Sequence, residues 1–483
     1  MNDQRRLTQE LRDCETRLRR NPASTDLRFR RAKLLDASGR SEHAIAAYMD
    51  VLERDKTHFG ALNDLGLLLY KAGNRKEART CYEAAVAYHP GNAVAHANLG
   101  FMLMKFGEPS AAREHYEKAV ALDPSNTEAH RGLAATLATL GETDEARVHQ
   151  EIGFKNRFIT TLPFRGAGNP IRLLLLVSTG SGNLHSDRFI DDRVFLTHKL
   201  IVEYADPAVP LPDHDLVFNG VGDADAAAEA LEKAAVLLER TAAPVINRPR
   251  AVLATTRLEN ARRLGELPDV RTAQTMLIPR GTLTANDGAA YLAAQGYSFP
   301  LLLRSPGFHT GQHFERIEGP AELTSVAQRL PGDAALAMEF LDARGADGAF
   351  RKYRAMIVDG TFFPLHLAIG SQWKIHYFSA DMADRADYRA EDAAFLADMP
   401  RAIGPLALAA LERVRETLDL DYAGIDFALD AEGRVLVFEA NATMVVNPPD
   451  PDERWAYRRA PTNRVIEAVR AMLLDRAKNM SYP

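Results

Sequence analysis

Two cysteines in 483 residues, Cys14 and Cys81, are too few for a disulfide framework. They also have no C-x-x-C spacing, so both read as inert thiols in helices. Long hydrophobic runs are missing too: no apolar stretch reaches the roughly 18 residues that span a bilayer. The polar start MNDQRRLTQE has no signal-peptide core, so the expectation is a cytoplasmic protein with no membrane partner. Nor is there an excess of positive charge. A net charge of -6 argues against general nucleic-acid binding and confines any anion site to a local patch. What the chain does have is 46% hydrophobic and 26% charged residues, a globular composition, in a length that holds about three domains.

The first third is periodic. Gly39, Gly73, Gly107 and Gly141 are spaced by 34 residues, and so are Ala44, Ala78, Ala112 and Ala146. Tyr48, Tyr82 and Tyr116 keep the same step, and Pro22, Pro90 and Pro124 keep it with one position missed. Each glycine is expected to turn the chain between two helices, each alanine to let them approach, and each proline to stop the second. The pattern resembles the tetratricopeptide repeat (TPR). Residues 1–158 are therefore expected to form a helical solenoid, with weaker capping repeats at its ends and a leading helix over residues 1–20. The resemblance implies a groove lined by the first helix of each repeat, holding Phe29, Lys33, Asn63, Leu67, Tyr70, Lys71, Phe101, Met104 and Lys105. Lysines among aromatic and aliphatic groups suit an extended peptide or protein partner of some acidic character, against the plainer reading of a solvated helix face plus the array's own core. Residues 159–170, ITTLPFRGAGNP, break the period and read as the domain boundary.

The remainder reads as α/β. Ile171–Val177 is a buried strand followed by the loop STGSGNLH, with further strands near 199–204 and 215–219 and a helix over 224–240. That loop lacks the Lys-Ser/Thr ending of a P-loop, so with Asn219–Asp223 it is expected to edge a second substrate's site. Near the end, Ala423–Ala428 and Val435–Phe438, joined by the turn Asp430–Gly433, read as a hairpin carrying Asp426, Glu439 and Asn441. Glu439 and Asn441 lie two apart, so in a strand both side chains leave one face, and such oxygen donors suit Mg²⁺.

The strands AGIDFA and FEAN resemble the metal-binding end of the ATP-grasp ligases, the family of glutathione synthetase, over roughly residues 170–480. The resemblance implies ATP and Mg²⁺ as cofactors, a small α/β subdomain over 171–246, and a nucleotide-binding and catalytic domain over 247–483. Arg257 falls where the family has a nucleotide-contacting lysine. Arg304 ends a strand, FPLLLR, that in the family ends in lysine, and arginine keeps the charge with two donors for phosphate. In the glycine-containing loop behind it, Gly311 argues against a helical zinc pair of His309 and His313, which become loop donors to phosphate or solvated groups. AMEFLD matches the adenine hinge, with Glu339 to Leu341 reading the base and Asp342 or Asp347 the ribose. Arg354 falls on the family arginine that faces the transferred phosphoryl group, as a catalytic cation. Trp373, Lys374 and His376 either line the acceptor site or belong to a lid. After Asn441 the chain departs from the family's serine-proline-glycine turn with ATMVVNPP, which argues against a simple amino-acid substrate.

The function expected from this combination is an ATP-dependent ligase. It would activate a carboxylate as an acyl phosphate for attack by an amine or other nucleophile, on a peptide or protein recruited by the repeats and with a small-molecule co-substrate. A kinase acting on a hydroxyl and a nucleotide-binding scaffold are the rivals, and the repeats are also a possible homo-oligomerisation surface.

Overall fold

The computed structural model describes residues 2–155, 157–308, 311–375 and 380–478. Its contacts divide the chain into two compact units, Met1–Phe158 and Ile159–Pro483.

The first unit is helical throughout its described residues. The elements α1 (Asn2–Arg20), α2 (Thr25–Ala37), α3 (Ser41–Arg54), α4 (Phe59–Lys71), α5 (Arg75–Tyr88), α6 (Ala93–Lys105), α7 (Pro109–Leu122), α8 (Thr127–Leu140) and α9 (Thr143–Phe154) form a leading helix and four helical hairpins. Side chains cap the first helix of each pair: Asn126, for instance, accepts from the Ala129 amide, satisfying a donor the helix cannot. All four periodic glycines take positive φ at the hairpin turns, where a Cβ would be strained. The four periodic alanines are buried at the helix crossings, and so are Tyr48, Tyr82 and Tyr116. A Cβ on Gly132 would sit 2.1 Å from Tyr116 Cε1, so the small residue is what lets α8 close over the ring of α7.

A second periodic device pairs histidines. His96 Nδ1 lies 3.0 Å from His115 Nδ1, and one repeat later His130 Nδ1 lies 2.8 Å from His149 Nδ1. The far nitrogens of His96 and His130 meet the Pro90 and Pro124 carbonyls.

Among its described residues the second unit holds three sheets. In the first, β2 (Ile171–Val177) lies between β3 (Phe195–Ile201) and β4 (Leu216–Asn219), with β5 (Val245–Ile246) outside β4, all parallel. β1 (Ile159–Thr161) adds antiparallel to β3, so the segment expected to be wholly connector begins as an edge strand. β3 starts four residues before the strand expected at 199, and Val202–Tyr204 is a short 3₁₀ turn. The following helix is Ala228–Leu237, shorter than the 224–240 pattern.

β6 (Val270–Thr272) belongs to another sheet. The second sheet is antiparallel, built from β7 (Thr275–Pro279), β8 (Leu301–Arg304), β9 (Phe314–Ile317) and β10 (Ala334–Glu339) in the order β7-β10-β8-β9. The third contains β11 (Phe350–Val358), β12 (Thr361–Gly370), β13 (Tyr422–Leu429) and β14 (Val435–Asn441), in the order β12-β11-β13-β14-β6. One core joins the first sheet to the third: Leu173, Phe218 and Ile246 pack with Met356, Tyr422 and, from the helix Arg459–Lys478, Val465 and Leu473. A separate core under the second sheet is built from Ile278, Leu303 and Leu323. The second and third sheets face one another across a cavity of about 690 Å³.

Candidate active site and repeat groove

The cavity has two kinds of wall. Leu302, Met338, Phe340, Leu341, Trp373 and Phe438 make one part apolar, with Trp373 edge-on to Phe314 at 5.4 Å. Arg257, Arg304, Lys352, Arg354, Asp426 and Glu439 make the other part ionic. An apolar slot ending in charge suits a ligand with a flat apolar end and an anionic end.

Strand register assembles the ionic part. β13 pairs with both β11 and β14, which sets Asp426 opposite Arg354 on one side and opposite Glu439 on the other. Asn441 pairs with Gly424, where a Cβ would meet the Met444 side chain at 2.3 Å. Glu439 and Asn441 do leave one face, since Asn441 Nδ2 donates to Glu439 Oε1 at 3.1 Å. The expected oxygen donors Asp426, Glu439 and Asn441 are therefore brought together.

The two carboxylates differ in their company. Asp426, with a side chain 4% exposed, accepts from Arg354 Nε (2.5 Å) and Nη2 (2.8 Å), and Lys352 Nζ stands 3.2 Å away. Burial alone would raise its pKa, but Arg354 and Lys352 outweigh it and hold the carboxyl far below the usual range. Arg354 is raised in turn, as Asp426 more than offsets its own burial. Arg354, expected to face a transferred phosphoryl group, has its guanidinium engaged by this aspartate. Glu439 is 31% exposed and accepts from Arg257 Nη2 at 2.9 Å. Its pKa is lowered as well, because Arg257, helped by Arg304 and Arg354, outweighs burial and the charge of Asp426.

Arg304 stands apart. Its Nη2 donates to the Phe308 carbonyl and its guanidinium lies 5.5 Å over the Phe314 ring, with no carboxylate in ion-pair contact among the described residues. Burial, then the neighbouring charge of Arg257, pulls its pKa down to about 10. Asn260 and His366, neither singled out from the sequence, also belong to this region. Asn260 Nδ2 donates to the Ala440 carbonyl at 2.7 Å, fixing the backbone between Glu439 and Asn441. His366 lies across the ladder from Arg354 and lines the cavity, kept neutral by burial and by that arginine.

Other expected residues fare differently. The Glu339 amide donates to the Gln274 carbonyl (2.9 Å) and its carboxylate pairs with Arg271 (3.0 Å), so its backbone N–H is already used within the protein. Leu341 lines the apolar wall as a buried side chain. Neither ribose candidate is among the residues lining the cavity: Asp342 pairs with Arg344 two residues on, and Asp347 with Arg351 four residues on. Lys374 reaches back to the start of β9, donating to the Phe314 carbonyl at 3.0 Å. His309 and His376 lie outside the described residues.

Could the oxygen donors hold a divalent ion? Among the described residues no group of three or more His, Cys, Asp and Glu side chains could do so alone. Two carboxylates and an amide oxygen still fit a hard cation whose other ligands are water and phosphate oxygens, which is how Mg²⁺ is usually held.

In the repeat unit, Tyr70 of α4 meets Phe101 of α6 edge-on at 5.6 Å, and Lys105 Nζ lies 5.3 Å from the Phe101 ring. Leu67 and Phe101 are 41% and 38% exposed, large for apolar side chains. Phe29, expected in the groove, is partly buried and packs with Tyr48 and His58 over Gly60, with Lys33 Nζ 5.7 Å from its ring.

Comparison with known proteins bears on this unit. Profiles described as tetratricopeptide repeat match residues 25–58, 59–92 and 103–149. Among solved structures, MamA (residues 41 to the end) from Desulfovibrio magneticus RS-1 is 25% identical, with 30% of this chain and 81% of that chain covered and a TM-score of 0.28. YrrB, described as a TPR protein with an unusual peptide-binding site, is 26% identical over 29% and 72% of the two chains, with a TM-score of 0.27. Pseudomonas aeruginosa pilF is 22% identical over 31% and 68%, with a TM-score of 0.29. No curated protein matches the chain. Residues 25–149 are tetratricopeptide repeats, which mediate protein interactions.

Proposed function

We propose that residues 159–483 are an ATP-grasp-type ligase acting on a peptide or protein brought to it by the repeats. The observation that carries the reading is Arg304, a largely buried cation without a carboxylate partner among the described residues, on the wall of a cavity that also holds Arg257, Arg354, Asp426 and Glu439. A buried unpaired charge costs stability, and a polyphosphate supplies the missing partner. The apolar wall at Phe340, Leu341 and Trp373 suits a purine, and Asp426, Glu439 and Asn441 would hold Mg²⁺.

Bound Mg²⁺ would neutralise phosphate charge and orient the terminal phosphoryl group. Arg257 and Arg304 would hold the phosphates by charge-assisted hydrogen bonds, and Arg354, fixed in place by Asp426, would face the charge that develops as the substrate carboxylate attacks phosphorus. ADP leaves, and an amine then attacks the acyl carbon, releasing phosphate and giving up a proton. No nucleophilic side chain is required. The repeat groove, with Leu67, Tyr70 and Phe101 among lysines, would hold the peptide.

The test is the fate of the terminal phosphate. Peptides retained by the intact chain are returned to it with Mg·ATP. Free phosphate formed in step with peptide modification supports the ligase, phosphate found on the peptide makes the protein a kinase, and intact ATP makes it a nucleotide-binding scaffold.

A further inference from the structure

Arg257 is held between two acids. Its backbone N–H donates to Asp225 at 3.1 Å, its Nε lies 3.7 Å from Asp225 Oδ2, and its Nη2 donates to Glu439 Oε1 at 2.9 Å. The same Oε1 accepts from Asn441 Nδ2, and Asn441 Oδ1 is turned to the amide and hydroxyl of Thr443, both at 3.0 Å. All three oxygen donors therefore have partners inside the protein, Asp426 with Arg354 and Lys352, and the cation at Glu439 is a guanidinium. A metal ion arriving there meets that positive charge at contact distance, where repulsion in a part-buried site is substantial.

We infer that Arg257 competes internally with a divalent cation for Glu439, and that the polyphosphate of a nucleotide relieves the competition by taking the guanidinium. The second half rests on the nucleotide reading above; the first does not. In the exchange Arg257 gives up one carboxylate oxygen for phosphate oxygens, which accept its two parallel donors, and Glu439 passes to the metal. Charge pairs are conserved when metal and nucleotide arrive together. When metal comes alone, Arg257 loses Glu439 and keeps only Asp225. The two ligands thus bind as a linked pair, and linkage requires each to raise the other's affinity by the same factor.

The test measures binding, not turnover. Mn²⁺, a paramagnetic stand-in for Mg²⁺, is titrated into the intact chain without nucleotide and the free ion is read by electron paramagnetic resonance, for the native protein, Arg257→Gln and Arg257→Lys. Arg257→Gln is expected to bind Mn²⁺ about tenfold more tightly than the native chain, while Arg257→Lys, which keeps the charge, stays near it. Calorimetry with Mg·ATP is expected to show the opposite order, with Arg257→Gln weakened about tenfold or more. A merely structural role would not move the two affinities in opposite directions. Mn²⁺ binding unchanged or weaker in a folded Arg257→Gln protein overturns the inference, and no Mn²⁺ binding by any form removes the metal from Glu439 altogether. If Mn²⁺ behaves as stated but no form binds ATP, the competition stands and the nucleotide reading falls.

Discussion

Arg304 and Arg354 carry the same charge in different company, and their removal should read differently. Arg304 has no carboxylate in ion-pair contact among the described residues and has its pKa lowered by burial, so Arg304→Ala relieves a desolvation cost. We expect Mg·ATP affinity to fall about tenfold to a hundredfold, as for a lost charged hydrogen bond, while the thermal midpoint holds or rises. Calorimetry and melting on the same sample check both. Arg354→Ala should instead destabilise, because it strips a bidentate partner from an aspartate only 4% exposed. Breaking such a pair costs about 3–5 kcal/mol, and Lys352 beside Asp426 puts the expected value toward the lower end. Denaturant unfolding measures it, and Arg354→Ala combined with Asp426→Ala should recover part. Since the folded pKa of Asp426 is depressed, the pair's contribution is complete above the unfolded carboxyl value of about 3.9 and is lost as pH falls below it.

Among elements, the paired histidines of α6 to α9 make a pH-dependent tie. The Pro90 carbonyl can only accept, so His96 Nε2 carries its hydrogen, neutral His96 presents Nδ1 as an acceptor, and His115 Nδ1 donates to it. The same assignment holds for His130, Pro124 and His149. His115 and His149 have lowered pKa values, from burial first and the partner ring second. As pH falls through about 6.5 the unfolded chain takes up protons before the folded one, so stability present above that value declines below it. The helical signal of the intact chain should therefore melt at lower temperature at about pH 5 than at about pH 7, and replacing both His115 and His149 by Gln should flatten the difference. An equal slope in the variant would remove the histidine pairs as its cause.

At the scale of the whole molecule, each unit has its own cores, and neither requires the other for burial. Tethering a peptide groove to a catalytic site raises the local substrate concentration to about millimolar when the linker geometry permits. Removing residues 1–158 should therefore leave Mg·ATP affinity unchanged in calorimetry and depress modification of dilute peptide, with partial rescue at high peptide. Modification of dilute peptide at the intact rate would assign the repeats another role, such as self-association, which solution mass would reveal.

The helical repeats were legible in the sequence because each repeat packs mainly on its neighbours, so the same glycine, alanine and tyrosine recur wherever the same local contact does. The hairpin of β13 and β14 was legible for a similar reason, since alternation and a glycine turn set a register over few residues. Spacing could not reveal the company each charge keeps. Arg354 and Asp426 are 72 residues apart and meet only through the pairing of β11 with β13, and Arg257 and Glu439, 182 apart, only through tertiary packing. Likewise the sequence does not show that the acids at 342 and 347 pair with arginines two and four residues on. Sequence fixes which charges exist and which elements carry them; tertiary packing decides which meet, because electrostatic pairing depends on distance and burial, which neighbours in the chain do not set.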